Sequence, residues 1–459
     1  MAFKKIKPTL SKGTRDFLPD EVLKRNYLFA VIKEVFLRYG FVQIETPAIE
    51  RLETLTGKYG EEGDRLIFKI LNSGDFLSDI PDHLLHQKNT ALVLHYVSDK
   101  GLRYDLTVPL ARYVVQHQDK LFFPFKRFHI GPVWRADRPQ RGRYQEFYQC
   151  DADVVGSSSL LSEVELLLIF SEVFHKLKLT DIKIHISHRK ILFALAEKLG
   201  ASAIFSRLAV NLDKLDKTDK QNVFNQLLQD GFNEEQLHQI DEFLNIQGES
   251  EDILSQLDIY FKDNNIAKEG INDLKFIVST LKNTKAEALV KIDVSLARGL
   301  DYYTGFIAEV RDLSGVMSGS LGSGGRYDNL TEIFGGRNMP GVGISFGVER
   351  IYDLLSEKGL FPQDLVSVPV VLFCPLETDC IPTVIILAQT VRDNGFCADV
   401  YPSPIKIAKQ LDYANKRKIP FVVIVGREEL QAGQITLKNM TTGEQSRISA
   451  EALISHIKI

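Results

Sequence analysis

The segment Ala297-Arg298-Gly299-Leu300-Asp301-Tyr302-Tyr303-Thr304-Gly305 constrains this chain more than any other. It follows an alternating apolar run, Val290 to Val294, that has the pattern of a strand. A strand would therefore deliver one fixed cation, Arg298, beside glycines that let a ligand approach the backbone. Tyr302 and Tyr303 would add aromatic walls with hydroxyl tips. A structural ion pair is the plainer reading of a single arginine in this setting. A second glycine-rich segment, Gly322-Ser323-Gly324-Gly325-Arg326-Tyr327-Asp328, follows soon after and makes a ligand site the better one.

At 459 residues the chain is too long for one ordinary core, and about three domains are expected. With 44% hydrophobic and 25% charged residues it has the composition of a soluble globular protein. A net charge of -4 confines any nucleic-acid-binding surface to a local patch. Cys150, Cys374, Cys380 and Cys397 show no C-x-x-C spacing, which argues against a zinc ribbon or disulfide framework and fits a reducing cytosol. The Lys-rich start has no apolar signal core, and no apolar run approaches the ~20 residues of a membrane span. His185 and His188 lie in a strand-like segment at a spacing that suits a helix face, so they read as packing or surface residues rather than metal ligands.

Glu21 to Tyr39 has helical spacing and is ended by Gly40, with a short strand Phe41 to Glu45 stopped by Pro47. Leu92 to Tyr96 and Gly101 to Leu106 read as a hairpin. Phe128 to Ala136 and Tyr144 to Val155 read as a second hairpin whose basic tip runs from Asp137 to Arg143. Leu161 to Leu179 is an amphipathic helix, and Asp181 to Ile186 a strand. Over 189–287 glycine and proline become scarce and helical periods dominate, which predicts a helical insertion. The segment 288–358 returns to strand-rich sequence, 359–366 reads as a linker, and 367–459 alternates strands and helices as a compact α/β domain.

No phosphate-binding loop is present. Gly57-Lys58 lacks the upstream Gly and the following Ser or Thr, and Gly341-Val342-Gly343 does not complete a dinucleotide fingerprint. The conspicuous inventory is instead arginine: Arg103, Arg135, Arg143, Arg298, Arg326 and Arg350, each at a predicted strand or turn. A planar guanidinium grips phosphate bidentately and keeps its charge at any working pH. An antiparallel sheet that handles a nucleotide with arginines fits this pattern.

The sequence resembles the histidyl-tRNA synthetases among the class II aminoacyl-tRNA synthetases. The two segments quoted first resemble the signatures of the histidine enzymes. The three shared class II motifs also appear in order. Glu21 to Pro47 matches the helix, strand and proline of a dimer interface, Val133-Trp134-Arg135 through Phe147 the second motif, and Gly341 to Arg350 the third. The likeness runs from Lys12-Gly13-Thr14-Arg15-Asp16 into the C-terminal domain. It implies an α+β catalytic core on an antiparallel sheet with flanking helices, over 1–188 and 288–358, plus the insertion and a C-terminal α/β anticodon-binding domain.

The resemblance also implies roles. Arg135 would bind the ATP α-phosphate and the attacking carboxylate, Arg350 the far phosphate end, with Gly347 beside the nucleotide. Arg298 would contact the α-phosphate and the substrate carboxylate; Mg would accompany ATP, and no resident protein metal is expected. Asp105, Thr107 and Gln149 would accept the α-ammonium of histidine, with Leu300 and Tyr302 completing the pocket. Asp153 and Tyr303 would read the two imidazole nitrogens, one a donor and one an acceptor. Several bacterial members carry Glu where this chain has Asp105 and Asp153; the shorter arms change geometry, not charge. Arg138, Gln140 and Arg143 would meet the tRNA acceptor end, and Lys406, Lys409, Lys416, Arg417 and Lys418 an anticodon stem.

The expected protein is thus a cytoplasmic homodimer that ligates histidine to its tRNA, with no membrane or DNA partner. Rival expectations are a non-catalytic regulatory relative, a class II synthetase for threonine or proline, and a pure RNA-binding module. The retained Arg135, Arg298 and Arg350, the full C-terminal domain and the paired signatures argue against all three.

Overall fold

The computed structural model describes residues 7–57, 60–87, 89–215, 218–297, 302–363, 365 and 368–457. Two compact units divide the chain, Met1–Pro362 and Gln363–Ile459. Among the described residues no helix is long and apolar enough to cross a membrane.

The first unit is built on an eight-stranded sheet in the order Val42–Gln43, Phe125–Trp134, Glu146–Val155, Gly341–Gly347, Ser320–Arg326, Phe306–Asp312, Ile182–His188, Val290–Ile292. The six inner strands pair antiparallel, and each edge strand joins parallel. Period-two alternation sorts the side chains. Along Glu146–Val155, Cys150, Ala152 and Val154 enter the main core, while Gln149, Asp151 and Asp153 face a cavity.

Helices Pro19–Arg38 and Leu161–Lys176 close the core face. Pro19 opens the first, Glu21 accepts from the Leu18 amide at 2.7 Å, and Gly40 ends it at φ +78°. Phe36, Phe128, Phe170 and Phe174 pack around or beside Phe346, with Phe170 and Phe346 ring centroids 5.0 Å apart.

Among the described residues six α-helices lie between Arg189 and Leu281, the segment expected to be a helical insertion. Their apolar faces do not form a separate core. Ile191, Leu192, Ile271, Leu274 and Ile277 join the cluster that includes Ile184 and Ile186 of the sheet. The first unit extends to Pro362, beyond the linker start expected at 359, because Phe361 packs on Tyr27 and Tyr352 at 6.2 and 5.4 Å.

The hairpin expected over Leu92 to Leu106 is not formed. Thr90–Val97 is a helix, and only Lys100–Leu102 is a strand, central in a small sheet with Ile49–Arg51 and Lys69–Ile70. The run is apolar almost throughout, so its periodicity does not choose between states. The helix is chosen by Asn89, whose side chain accepts from the Ala91 amide at 3.0 Å.

The second unit holds a five-stranded sheet ordered Ala398–Val400, Val371–Pro375, Phe421–Val425, Gln434–Asn439, Gln445–Ser449. The first three strands run parallel, and the last two complete an antiparallel edge. The strand Gln445–Ser449 and helix Arg427–Ala432 are additions to the sequence reading, both too polar to show an apolar period.

Candidate active site

The cavity has a volume of about 460 Å³ and lies against the polar face of the large sheet. Its floor is set by strand register. Asp153 stands opposite Arg127 on one side and Gly343 on the other; Asp151 stands between His129 and Ser345, and Gln149 between Gly131 and Gly347.

Arg127 is fully buried, and its Nη2 lies 2.7 Å from Asp153 Oδ2 and 3.2 Å from the Leu106 carbonyl. The Tyr327 hydroxyl donates to Asp153 Oδ1 at 2.6 Å. Asp153 is therefore held by a hydrogen bond from Tyr327 at Oδ1 and by the charge of Arg127 beside Oδ2, an oxygen that has no well-directed hydrogen bond among the described residues. Burial nonetheless raises its carboxyl above the ordinary range, with the Arg127 charge and the Tyr327 bond opposing. The carboxylate leans across Gly343, where a Cβ would sit 2.0 Å from Oδ1.

Tyr302, Tyr303 and Tyr327 form the aromatic wall. Tyr302 is edge-on to both neighbours, with centroids 5.0 Å from Tyr303 and 6.1 Å from Tyr327. A Cβ on Gly325 would come within 2.8 Å of the Tyr303 ring, so that glycine makes room for the wall. Burial, reinforced by the carboxylates Asp153, Asp151 and Asp105, pushes the Tyr303 hydroxyl up, so it stays a neutral donor.

Asp105, two residues before the helix Thr107–His117, accepts from the Val108 amide at 3.1 Å, and its other oxygen accepts from Tyr302 at 3.3 Å. Thr107, the first residue of that helix, lines the cavity. Gln149 Nε2 donates to Ser345 Oγ at 3.0 Å, and Gln149 Oε1 has no partner among the described residues.

Arg135 leaves the end of the long hairpin. Its amide donates to Gln145 and its Nε to the Tyr104 carbonyl at 3.0 Å, with the guanidinium 4.3 Å above the Tyr104 ring. Arg143 also lines the cavity and pairs with Asp137 at 2.8 Å. Arg138 and Gln140 are exposed at the hairpin tip. Arg350, early in helix Val348–Glu357, donates to the Ser320 carbonyl at 2.9 Å. Gly347 caps that helix and pairs with Gln149 across the ladder. Glu349, next to Arg350, is clasped by Arg15 and Arg25, while Gly13 accepts from the Gln145 amide at 2.8 Å. The segment around Arg15 thus ties the second motif to the third.

Two arginines of the sequence inventory do other work. Arg103 is spent on backbone carbonyls, Thr46 at 2.6 Å and Pro132 at 2.8 Å. Arg326 is 2.6 Å from the fully buried Glu163 and also pairs with Asp328. Thr304 donates to Asp328 at 3.0 Å, so this cluster fastens the two signature segments together. Arg298 and Leu300 lie outside the described residues.

Arg127, Asp151 and Tyr327 were missed as site residues. Arg127 lies in a strand that otherwise reads as core; its one signal was the i, i+2 alternation with His129, polar residues facing one way from an apolar strand. In the second unit, Lys406, Lys409, Lys416 and Lys418 are exposed on or beside helix Ile407–Lys416, whereas Arg417 pairs with Asp399 at 2.7 Å.

A family profile described as histidyl-tRNA synthetase matches residues 98–351, and one described as an anticodon binding domain matches 370–458. The chain is similar to the histidine–tRNA ligase of Porphyromonas gingivalis, 47% identical over 97% of this chain and 98% of that protein. It is 48% identical to that of Bacteroides fragilis over 98% of both. The crystal structure of histidyl-tRNA synthetase from Nostoc sp. PCC 7120 superposes with a TM-score of 0.77 at 30% identity, covering 99% of each chain. The apo enzyme from S. aureus shares the fold, with a TM-score of 0.66 at 20% identity over 98% of this chain and all of that one. With near-full-length relatives at this identity and a profile match spanning both signature segments and the hairpin, the chain belongs to the histidyl-tRNA synthetase family.

Proposed function

We propose that the cavity above Gln149, Asp151 and Asp153 is where this chain, a histidine–tRNA ligase, activates its amino acid. Histidine and ATP give histidyl-adenylate and pyrophosphate, and the histidyl group then passes to the 3′-terminal adenosine of the tRNA. The observation that carries this reading is the setting of Asp153. A buried carboxylate held by Arg127 and Tyr327, with the neutral Tyr303 hydroxyl nearby, suits an imidazole that needs one acceptor and one donor. A site built this way rejects apolar analogues by about 10⁴ or more, because its buried polar groups would go unpaired.

Asp105, Thr107 and Gln149 receive the α-ammonium on this reading, with Leu300 and Tyr302 around them. Arg135 and Arg298 take the α-phosphate and the attacking carboxylate, and Arg350 and Gly347 the far end of ATP. Negative charge grows on the α-phosphate as the carboxylate attacks, and fixed cations there lower the barrier. Mg would accompany ATP on its phosphates.

Arg138, Gln140 and Arg143 offer the acceptor end of tRNA a basic hairpin tip, and the lysines beside Ile407–Lys416 offer the anticodon stem a basic face. The protein acts as a cytoplasmic homodimer, with 189–287 as an insertion between the two catalytic segments. Leu37 at 53% and Val42 at 52% are left exposed within Glu21 to Pro47, the segment that matches the dimer-interface motif, which supports this reading. The test is charging of purified tRNA with labelled histidine. The reading expects ATP-dependent, histidine-specific charging, and no charging at any tRNA concentration refutes it.

A further inference from the structure

Asp151 lies between Gln149 and Asp153 on the cavity strand and has no part in the reading above. It is 2% exposed, and its Oδ1 has no hydrogen-bond partner among the described residues. An unpaired buried carboxylate oxygen is costly, more so than a neutral acceptor. The neighbouring Gln149 Oε1 is in the same position, because Gln149 spends its amide on Ser345, directly across the ladder from Asp151.

Gln149 Oε1 and Asp151 Oδ1 thus stand as neighbouring orphaned acceptors on one strand, beside Asp153 Oδ2, and the backbone positions of Gln149 and Asp151 are about 6.6 Å apart, the rise of two residues. A single cation making two charge-assisted bonds of about 2.8 Å spans nearly that gap. The surrounding charges leave room for one. Arg127, from the adjacent strand, turns Nη2 to Asp153 and the Leu106 carbonyl, its charge is shared by Asp151, and Asp105 and Asp153 add negative charge. His129, directly opposite Asp151, is held neutral, its pKa lowered to about 3 by burial and by the Arg127 and Arg103 charges. Tyr303 approaches as a neutral phenol.

We propose that Asp151 is a further amino-acid-binding residue, which accepts a hydrogen bond from the substrate α-ammonium and makes the pocket require a free amine. The proposal rests on the cavity being the histidine pocket. A second consequence follows from the environment of the carboxyl. Burial pushes Asp151 up to about 7, with Asp153 and Asp105 adding to the rise and Arg127 and Ser345 opposing it. Near neutral pH the empty pocket then carries a proton on Asp151 part of the time, and an arriving ammonium drives it into solvent.

The experiment is calorimetric titration of histidine, and of imidazolelactate, which has a hydroxyl in place of the amine, into full-length wild type and D151N. It is run at pH 7 in two buffers of different ionisation enthalpy. Wild type should release a fraction of a proton on binding histidine. D151N should release less, keeping only the fraction lost by the imidazole ring of histidine, and bind histidine about tenfold or more weakly, as for a lost charged hydrogen bond. Imidazolelactate should bind both proteins alike, and ATP affinity, unchanged between them, reports an intact fold. Equal histidine affinity, an equal loss for both ligands, or unchanged proton release in D151N overturns the proposal. If D151N does not fold, the wild-type arm still decides, since proton release no greater with histidine than with imidazolelactate also overturns it. Failure of wild type to bind histidine at all defeats the pocket reading itself, a result distinct from the others.

Discussion

Arg127 Nη2 lies 2.7 Å from Asp153 Oδ2 beneath the amino-acid cavity, and the arginine side chain has no exposed surface. Among the described residues Nε and Nη1 of that guanidinium and Asp153 Oδ2 itself have no hydrogen-bond partner, so the contact is one of charge. Such an arrangement is not an economical way to stabilise a sheet, because a buried pair rarely outperforms apolar packing. Its value lies in aim: Asp153 cannot swing away from the position in which Tyr327 also binds it.

Removing one member of this pair strands the other. Arg127→Met should lower unfolding free energy by about 3–5 kcal/mol. The double variant Arg127→Met with Asp153→Asn should lose less than the sum of the single changes, since neither buried charge remains. Urea denaturation of the four proteins measures this, and strict additivity would show that the two side chains do not interact.

Gly343 bears on the same carboxylate from the other side. A Cβ there would lie 2.0 Å from Asp153 Oδ1, so Gly343→Ala must displace the group it touches. KM for histidine should rise by about tenfold or more, as for a lost charged hydrogen bond, while KM for ATP moves little. Equal changes in both constants would point instead to general disruption of the sheet.

The His129 and Asp151 pair governs an acid-range balance. His129 falls from 6.5 to about 3 on folding, so between those values the unfolded chain binds a proton there and the native chain does not. Asp151 rises from 3.8 to about 7, so over much of the same range the native chain holds the extra proton. Stability from the first is lost as pH falls below 6.5, and stability from the second is lost as pH rises from 3.8 towards 7; between about pH 4 and 6.5 the slopes cancel. Asp151→Asn removes one side of the balance. Relative to wild type, the variant should lose up to about 1.4 kcal/mol per pH unit on acidification through that window. Parallel stability curves for the two proteins would contradict it.

Arg298 carries the prediction that rests on sequence alone. Arg298→Ala should cut single-turnover adenylate formation by about 10²–10³, while histidine affinity changes less. Near-normal adenylation in rapid quench would remove Arg298 from the chemistry.

What the sequence disclosed, and what it did not, divides by range of interaction. The long helix before Gly40, the hairpin behind Arg135 and the alternation along Glu146–Val155 follow from local pattern, and the structure has them. The run Thr90–Val97 was misread because its apolar residues fit either period and one cap decided between them. Arg103 and Arg326 were grouped with phosphate-binding arginines because a sequence shows a charge but not its partner; Thr46, Pro132 and Glu163 are all distant in the chain. Arg127 and Tyr327 were overlooked for the same reason, since their meaning is their distance from Asp153.

The most direct measurement is amino-acid-dependent ATP–pyrophosphate exchange by the purified full-length protein, run separately with each of the twenty standard amino acids. Exchange with histidine alone is predicted, abolished or strongly reduced in Asp153→Asn. Exchange driven by a different amino acid, or by none with folded protein, would contradict the assignment of this cavity to histidine.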